Sequence, residues 1–343
     1  MNTPRFPTSA TALPMNRPSV AAGVPPPGIP GSRSVSSSVA NRGLLRIIAF
    51  AATCLLIAPP LSAPAGVIHE IYSPYHHILV LDDGDIRTLS FDGTRETRMS
   101  LSNPLQGHFG YTELFHYARL WNTNLARVAM LGLGGGSTQR SFLHHYPEVR
   151  IDSVEIDPAV VKIATNFFQV RINDRHRVIV EDGRNFLRRS REKYDLIVLD
   201  AYVKHRYGSH MPQHLATREF FEIARDRLTP NGVLAYNVIT VIQLGNTDAT
   251  RALARTMLQV FTQVYQFRAS DSLNAVLIAT REPRRLTPPE LRQRATGLVT
   301  LGRPLPVGLA ERLPSLKTGL PPNVSQARIL TDDYAPVEGL ERP

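Results

Sequence analysis

A glycine cluster at the end of an apolar run constrains the fold of this chain more than any other feature. Segment 128–138 reads VAMLGLGGGST, and a later apolar run ends in Glu155, 23 residues after Gly132. Glycine lets a backbone turn tightly and approach a ligand, and an acid roughly 20 residues later can accept hydrogen bonds from both hydroxyls of a ribose. The pattern therefore predicts a parallel βαβ unit that binds a nucleoside. The candidate contacts are Gly132, Gly134, Gly136 and Glu155.

Strands and helices alternate regularly after this motif. Apolar runs that suit buried strands are separated by stretches with helical spacing and by turn sequences such as Thr-Pro-Asn-Gly at 229–232. This alternation is typical of an α/β protein with a doubly wound, mostly parallel, Rossmann-like sheet. The predicted strands are 128–133, 151–156, 177–180, 195–199, 233–238, 264–267 and 275–279, and the predicted helices are 110–121, 137–146, 158–168, 183–191, 217–228 and 248–261.

A small antiparallel sheet is expected before the parallel one. Short β-like runs at 67–72, 77–81, 86–91 and 97–101 are joined by turns that contain Asp-Gly pairs. The chain then divides into a tail with an apolar segment (1–66), a small β domain (67–104), a Rossmann-like nucleoside-binding catalytic domain (105–283) and an irregular C-terminal extension (284–343).

The front of the chain has the composition of a targeting region. Residues 1–43 are rich in Pro, Ser, Gly and Ala, which is typical of disorder. The uncharged stretch 47–68 follows Arg46, and Ala63-Pro-Ala65 fits a cleavage pattern of small residues. Three interpretations stand: a signal peptide, a membrane anchor interrupted by Pro59-Pro60, or no targeting element. Exported, membrane-associated and cytoplasmic locations therefore all remain open.

Charge and composition exclude several classes of function. The net charge is +10, but residues 1–65 contribute five arginines and no acid, and the remaining excess forms no long basic block, so nucleic acid is not an expected partner. A single cysteine, Cys54, excludes intramolecular disulfides and Cys-rich zinc sites. Neighbouring histidines, as in His76-His77 and His144-His145, point in different directions and chelate poorly, so no metal is expected.

Two further carboxylates follow predicted strands. Ligands of doubly wound sheets bind beyond the carboxyl ends of the strands, which places Asp182 and Asp200 beside the nucleoside. Asp182-Gly183 either accepts the exocyclic amine of adenine and leaves room for the ring, or forms a turn that caps the next helix. Asp200 either takes a proton from an attacking amine, which is mostly protonated in water, or is a solvated turn residue. Asp157, which precedes Pro158, is expected to cap a helix.

At these residues the chain resembles the polyamine aminopropyltransferases, or spermidine synthase-like proteins, over about residues 67–283. The resemblance implies a methyltransferase-type Rossmann core in which the glycine loop and Glu155 hold decarboxylated S-adenosylmethionine or its thioether product. It also implies that Asp182 and Gly183 contact adenine and that Asp200 is the catalytic residue that helps to deprotonate the amine. The segments that carry it are 72–77, 132–138, 154–157, 181–183, 199–200 and 217–221, and segment 330–338 is similar to the closing segment of many such chains.

The amine-binding half departs from the family pattern. Gly135 and Val203 stand where typical members have aspartates, and Lys204 and Arg206 would repel a polyamine. Asp332-Asp333 either replaces the missing acids or forms a solvated turn. The substrate-site candidates that the resemblance implies are Tyr75, His76, Glu96, Tyr111 and Tyr202.

Three functions are consistent with these features. The first is transfer of an aminopropyl group from decarboxylated S-adenosylmethionine to a small-molecule amine, in polyamine biosynthesis. The second is methyl transfer from S-adenosylmethionine. The glycine loop lacks the aspartate of typical members, and a donor whose tail carries a carboxylate would be repelled by an acid facing it. The third is nucleoside binding without catalysis. NAD-dependent dehydrogenation is less favoured because Ser137 occupies the third glycine position. A homodimer and a membrane contact through residues 47–68 remain open.

Overall fold

The computed structural model describes residues 66–205, 208–239, 248–313 and 318–336, and no side chains at 204, 205, 208–210 and 248. The predicted signal or anchor segment therefore lies outside the described residues, except that residues 66–68 belong to the first strand. Within the described part of the chain, no helix has the length and apolar character needed to span a membrane.

A four-stranded antiparallel sheet opens the described structure, as predicted. Its strands follow one another in sequence order and are joined by tight turns, in which Gly84 and Gly93 adopt positive φ angles of 56° and 83°. The strands are β1 (Gly66–Tyr72), β2 (His77–Asp83), β3 (Ile86–Phe91) and β4 (Thr94–Ser100).

The main sheet has seven strands in the order β12-β13-β11-β8-β5-β6-β7. Pairing is parallel from β11 through β8, β5 and β6 to β7, whereas β13 pairs antiparallel with both β11 and β12. This arrangement confirms the doubly wound, mostly parallel sheet. The strands are β5 (Arg127–Leu131), β6 (Arg150–Glu155), β7 (His176–Val180), β8 (Tyr194–Leu199), β11 (Leu228–Ile239), β12 (Gln263–Arg268) and β13 (Asn274–Thr280), and a separate hairpin contains β9 (Val203–His205) and β10 (Gly208–His210).

The helices cover both faces of this sheet. The region predicted as a helix over 110–121 is an 11-residue 3-10 helix, Gly110–Leu120. Asp157 caps α2 as predicted, because its Oδ1 accepts a hydrogen bond of 2.8 Å from the backbone N–H of Ala159. The α-helices are α1 (Ser137–His145), α2 (Pro158–Phe167), α3 (Gly183–Arg189), α4 (Arg218–Arg227), α5 (Asp248–Met257), α6 (Pro288–Thr300) and α7 (Leu309–Arg312).

The prediction that residues 284–343 are irregular is wrong for α6. Thr287 and Glu290 form a capping box, in which the Thr287 backbone N–H donates to Glu290 Oε2 at 2.8 Å. Pro288 begins the helix, and Leu291, Ala295 and Leu298 bury its apolar side. The capping box, the proline at the helix start and the apolar residues spaced four and then three positions apart are all visible in the sequence. The helix was therefore predictable from local rules.

Burial of both faces of the central strands fixes the position of the site. Along β5, Ala129 and Leu131 belong to one apolar core, and Val128 and Met130 belong to the core on the other face. The four-stranded sheet packs its own apolar side chains against α2 in a third cluster. The small sheet therefore lies next to the helix that follows Glu155, and its strand β4 reaches the glycine loop through Thr97, whose Oγ1 accepts from Gly135 N at 2.9 Å.

Candidate active site

A cavity of about 500 Å³ lies at the carboxyl ends of the parallel strands, where the strand order reverses between β5 and β8. Ligands of doubly wound sheets bind at such switch points. Of the predicted site residues, Gly136 does not line the cavity and instead caps α1 with a φ of 70°. Those that line it are Gly132, Gly134, Glu155, Asp182, Gly183, Asp200, Tyr75, His76, Glu96, Tyr111 and Tyr202.

The glycine loop is closed to larger side chains at two places. Gly132 has a φ of 102°, and a Cβ there would lie 2.2 Å from the carbonyl oxygen of Asp200. A Cβ at Gly135 would lie 2.6 Å from Thr97 Cγ2 and 2.9 Å from Phe168 Cδ1. Contacts this short require the surrounding atoms to move. An acid at Gly135 would thus require Thr97 and Phe168 to move, which gives a physical reason for that departure from the family pattern.

Glu155 is held in place by the loops on either side of it. Its Oε2 accepts from the backbone N–H of Leu133 and its Oε1 from that of Asp157, both at 3.0 Å. Desolvation raises the pKa of Glu155, and the two backbone N–H groups oppose that rise. Each carboxylate oxygen retains a second lone pair. The oriented carboxylate can therefore accept two further hydrogen bonds from a ligand in the cavity.

Asp182 caps the next helix, which is one of the two alternatives that the sequence left open. Its Oδ1 caps α3 by accepting from Asn185 N at 2.9 Å, and its side chain also lines the cavity. Its Oδ2 lies 2.7 Å from His214 Nε2, and this contact is the main reason that the pKa of Asp182 is lowered. His214 belongs to the segment before α4, and no motif in the sequence indicated it.

Asp200 is not a solvated turn residue. Its Oδ1 accepts from Asn237 Nδ2 at 2.8 Å, and its Oδ2 accepts from the Tyr111 hydroxyl at 3.1 Å. Asn237 is fixed in turn by Asn274, whose Nδ2 donates to Asn237 Oδ1 at 3.0 Å. Desolvation raises the pKa of Asp200, and the two donors oppose that rise. Sequence reasoning missed both asparagines, although a polar residue near the carboxyl end of the buried strand β11 was a usable signal for Asn237.

The remaining amine-site candidates line the cavity from other elements. His76 Nδ1 lies 3.2 Å from Asp92 Oδ2, and its ring stacks on Phe91 with centroids 4.5 Å apart. The Tyr202 hydroxyl donates to the main-chain oxygen of Asn237 at 3.1 Å. Tyr75 is 45% exposed at the mouth of the cavity. These contacts give the cavity an aromatic wall beside its carboxylates.

Several residues that the sequence singled out lie elsewhere. His77 points away from His76 and contacts Glu70 at 2.7 Å. Asp332 lies in an exposed turn, as one of the two alternatives for Asp332-Asp333 predicted, and its carboxylate forms a two-bond ion pair with Arg184 and does not line the cavity. The side chains of Lys204 and Arg206 are outside the described residues. Across the parts of the chain that are described, no three His, Cys, Asp or Glu side chains form a group that could hold a metal.

Comparison with known proteins agrees with this geometry. The spermine/spermidine synthase domain matches residues 108–272. The polyamine aminopropyltransferase of Vibrio vulnificus is 32% identical over 306 residues, which cover 86% of this chain and 98% of that protein. A human eEF1A lysine and N-terminal methyltransferase is 32% identical over 187 residues, or 52% of this chain and 26% of that protein.

Solved structures show the same fold. The spermidine synthase of Thermotoga maritima superimposes with a TM-score of 0.59 at 18% identity, covering 76% of this chain and 86% of that one. A probable spermidine synthase from Corynebacterium glutamicum gives a TM-score of 0.57 at 20% identity, covering 68% and 88%. From its near full-length relative and its domain match, the chain belongs to the polyamine aminopropyltransferase family, the spermidine synthase-like transferases.

Proposed function

We propose that the protein transfers an aminopropyl group from decarboxylated S-adenosylmethionine to a small-molecule amine, with Asp200 as the proton acceptor. The observation that carries this proposal is the setting of Asp200. Its carboxylate lies in the cavity wall at the switch point of the sheet, and Tyr111 and Asn237 fix both of its oxygens. An attacking amine needs such a fixed carboxylate because the amine must lose a proton.

The proposed reaction is a single displacement. The nitrogen of the acceptor amine forms a bond to the aminopropyl carbon that is attached to sulfur. The bond between that carbon and sulfur breaks, and its electron pair stays on the sulfur, which becomes the neutral thioether of methylthioadenosine. The proton that the nitrogen loses passes to Asp200. The sulfonium supplies the leaving group, so this chain has to orient two substrates and accept one proton.

The surroundings of Asp200 suit it for proton transfer. Desolvation raises its pKa above the usual value for an aspartate, which makes its carboxylate a stronger base than one in water. The pKa of Tyr111 is raised well above its usual value by burial and by the charge of Asp200. The phenol therefore keeps its proton at neutral pH and continues to donate to Asp200.

The opposite end of the cavity suits the nucleoside of the donor. Gly132 and Gly134 let the backbone come close to the ligand, and Glu155 can accept from the two ribose hydroxyls. Asp182 can accept from the exocyclic amine of adenine, because it lines the cavity and its carboxylate oxygens retain lone pairs beside their contacts with Asn185 and His214.

The charge of the cavity favours cationic substrates. Among the described lining residues, five carboxylates face one guanidinium, that of Arg95, and the imidazoles of His76 and His214. Such a surface attracts both a sulfonium donor and an ammonium-bearing acceptor, and aromatic rings stabilise cations further. The five acids are Glu96, Glu155, Glu181, Asp182 and Asp200, and the aromatic residues are Tyr75, Phe91, Phe109, Tyr111 and Tyr202.

Methyl transfer from S-adenosylmethionine is the second candidate. It is favoured by Gly135, which stands where typical aminopropyltransferases place an acid opposite the donor ammonium and where any larger side chain would require Thr97 and Phe168 to move. Without that acid, a donor tail that carries a carboxylate meets less repulsion. Similarity to the eEF1A methyltransferase over 187 residues supports the same possibility.

The test is a product assay with the full-length protein. Each donor, decarboxylated or carboxylated, is incubated with 1,4-diaminobutane and related amines, and the thioether and aminopropylated or methylated products are quantified by mass spectrometry. We expect methylthioadenosine from the decarboxylated donor only when an amine is present, and none with Asp200→Asn. Formation of S-adenosylhomocysteine from the carboxylated donor would instead establish methyl transfer, and binding without turnover of either donor would exclude both activities.

A further inference from the structure

The closing segment of the chain has a defined place in the fold. Leu330 is fully buried, its N–H donates to Thr256 Oγ1 at 2.9 Å, and its carbonyl accepts from Arg218 N at 2.9 Å. Thr331 and Tyr334 then pair through two backbone hydrogen bonds of 3.1 and 3.0 Å. This pairing forms a turn with Asp332 in it. The segment is therefore docked on α4 and α5 through backbone contacts that fix where Asp332 points.

Asp332 is bound tightly by residues on two helices. Arg184 Nη1 donates to Oδ1 at 2.7 Å and Arg184 Nη2 to Oδ2 at 2.5 Å. The hydroxyl of Thr217, which caps α4, donates to Oδ1 at 2.7 Å. The Arg184 side chain is only 10% exposed. The Asp332 side chain is 43% exposed, so solvent partly screens the charges, and the two parallel hydrogen bonds contribute mainly a fixed direction to the pair.

Arg184 connects this ion pair to the cavity. It follows Gly183 directly, and its Nη1 also donates to the main-chain oxygen of His214 at 3.1 Å. The ring of His214 lies 2.7 Å from Asp182 Oδ2 through its Nε2. A continuous series of contacts thus runs from Asp332 through Arg184 and His214 to Asp182, which lines the nucleoside end of the cavity.

We propose that Asp332 is a positioning residue for adenine recognition. It fixes Arg184, Arg184 fixes the segment that carries His214, and His214 fixes the Asp182 carboxylate where it can accept the exocyclic amine of the base. The closing segment thereby sets the base specificity of the donor site from a distance. This inference rests on the nucleoside site of the proposed function, but not on which group the enzyme transfers.

The experiment measures dissociation constants of the full-length protein for methylthioadenosine and methylthioinosine, which carries a carbonyl in place of the exocyclic amine. We expect wild type to prefer methylthioadenosine. Asp332→Asn should weaken methylthioadenosine binding about tenfold, the effect of losing one charged hydrogen bond. It should not weaken methylthioinosine binding, so the preference shrinks. The KM for the amine and kcat at saturating donor should stay unchanged.

Three variants make the result specific. Asp333→Asn changes the neighbouring carboxylate of the same turn and should keep the wild-type preference. Asp182→Asn removes the negative charge of the acceptor itself and should abolish the preference. Thr217→Val removes one of the three hydrogen bonds to Asp332 and keeps the Arg184 pair, so it gives a smaller loss even if Asp332→Asn folds poorly.

The possible failures differ from one another. Full wild-type preference in Asp332→Asn, alongside its loss in Asp182→Asn, overturns the positioning role alone. Equal weakening of both nucleosides by Asp332→Asn overturns it as well, because a purely structural role would act without regard to the base. Absence of binding of either nucleoside to wild type overturns the proposed nucleoside site, and the positioning role with it.

Discussion

The two ends of the cavity are built from different kinds of sequence. The proposed nucleoside end comes largely from one stretch of chain, in which β5, the glycine loop, α1 and β6 follow one another and Glu155 closes the unit. The proposed amine end combines Tyr75 of the small domain, Tyr111 of the 3-10 helix, Asp200 after β8, Asn237 of β11 and Asn274 of β13. Local sequence patterns thus encode the proposed donor site, whereas the proposed chemistry depends on contacts between distant segments.

Asp200→Asn is expected to give the largest difference between an effect on kcat and an effect on nucleoside affinity. Loss of a general base lowers kcat by roughly 10²–10⁴-fold, while methylthioadenosine affinity should hardly change. The pKa of Asp200 is raised in the folded state, so its ionised carboxylate lowers the free energy of unfolding at pH values above the usual pKa of an aspartate. The neutral asparagine should therefore raise the thermal unfolding midpoint at pH 7. Turnover and calorimetry on the same preparation test this, and retention of wild-type activity would remove Asp200 from the mechanism.

Gly132→Ala should damage both ends together. Its Cβ would lie 2.2 Å from the Asp200 carbonyl oxygen and the residue would keep a φ of 102°, so the loops after β5 and β8 must separate. Backbone strain of this kind lowers the free energy of unfolding by about 1–3 kcal/mol. A loss of the same size in binding free energy would weaken nucleoside affinity by up to about a hundredfold. Gly308→Ala is the matched control, since it also has a positive φ, of 83°, but no neighbouring atom within 4 Å of an added Cβ. Equal effects of the two substitutions would show that the close approach is irrelevant.

Glu155→Gln should affect the nucleoside end alone. Loss of the charged acceptor for ribose hydroxyls weakens donor and methylthioadenosine binding by about 10–100-fold, with kcat at saturating donor retained. Glu181→Gln is the control, because Glu181 also lines the cavity but pairs with Arg189 at 2.6 Å. Titration calorimetry of both variants decides the matter, and a fall in kcat for Glu155→Gln at saturation would contradict the division into two ends.

Tyr111→Phe should shift the pH dependence of the amine end. The Tyr111 hydroxyl lowers the pKa of Asp200 against the effect of desolvation, so its removal raises that pKa further. Only ionised Asp200 accepts the proton. On acidification, the activity of Tyr111→Phe should therefore fall at a higher pH than the activity of wild type. Tyr117→Phe, in the same 3-10 helix, removes a buried hydroxyl that donates to Leu309 O and should leave the pH profile of kcat/KM in place.

The smallest effect is expected for Glu113→Gln, which lies outside both ends. His108 and Arg312 lower the pKa of Glu113 from 4.5 to about 2. Its stabilising contribution is therefore complete above about pH 4.5 and disappears as pH falls through about 2. The groups are partly exposed, so we expect a loss of about 1 kcal/mol at pH 7 and none in kcat. Urea unfolding at pH 7 and pH 2 measures it, and a change in kcat would place Glu113 in the site.

The sequence allowed prediction of the fold, and of which residues meet at the proposed nucleoside end of the cavity, because both depend on local periodicity and spacing. The glycine loop, the acid after β6 and the cap at Asp157 each follow from residues within one βαβ unit. His214 and Asn274 could not be found in this way, because their partners are 32 and 37 residues distant in the chain and meet them only after folding. The pairing of Asp332 with Arg184 spans 148 residues and is equally invisible to a local pattern.

The packing of the four-stranded sheet on α2 has a consequence for how this enzyme family can diversify. Tyr75, His76 and Glu96 reach the cavity from that sheet, while its apolar side chains rest on a helix of the nucleoside-binding unit. If the proposed site is right, substitutions in its hairpins can alter the choice of acceptor while the parallel strands of the proposed donor site keep their sequence. Relatives could then change their amine specificity through this sheet while they keep the same donor site, so we expect sequence divergence to be fastest at these hairpin positions.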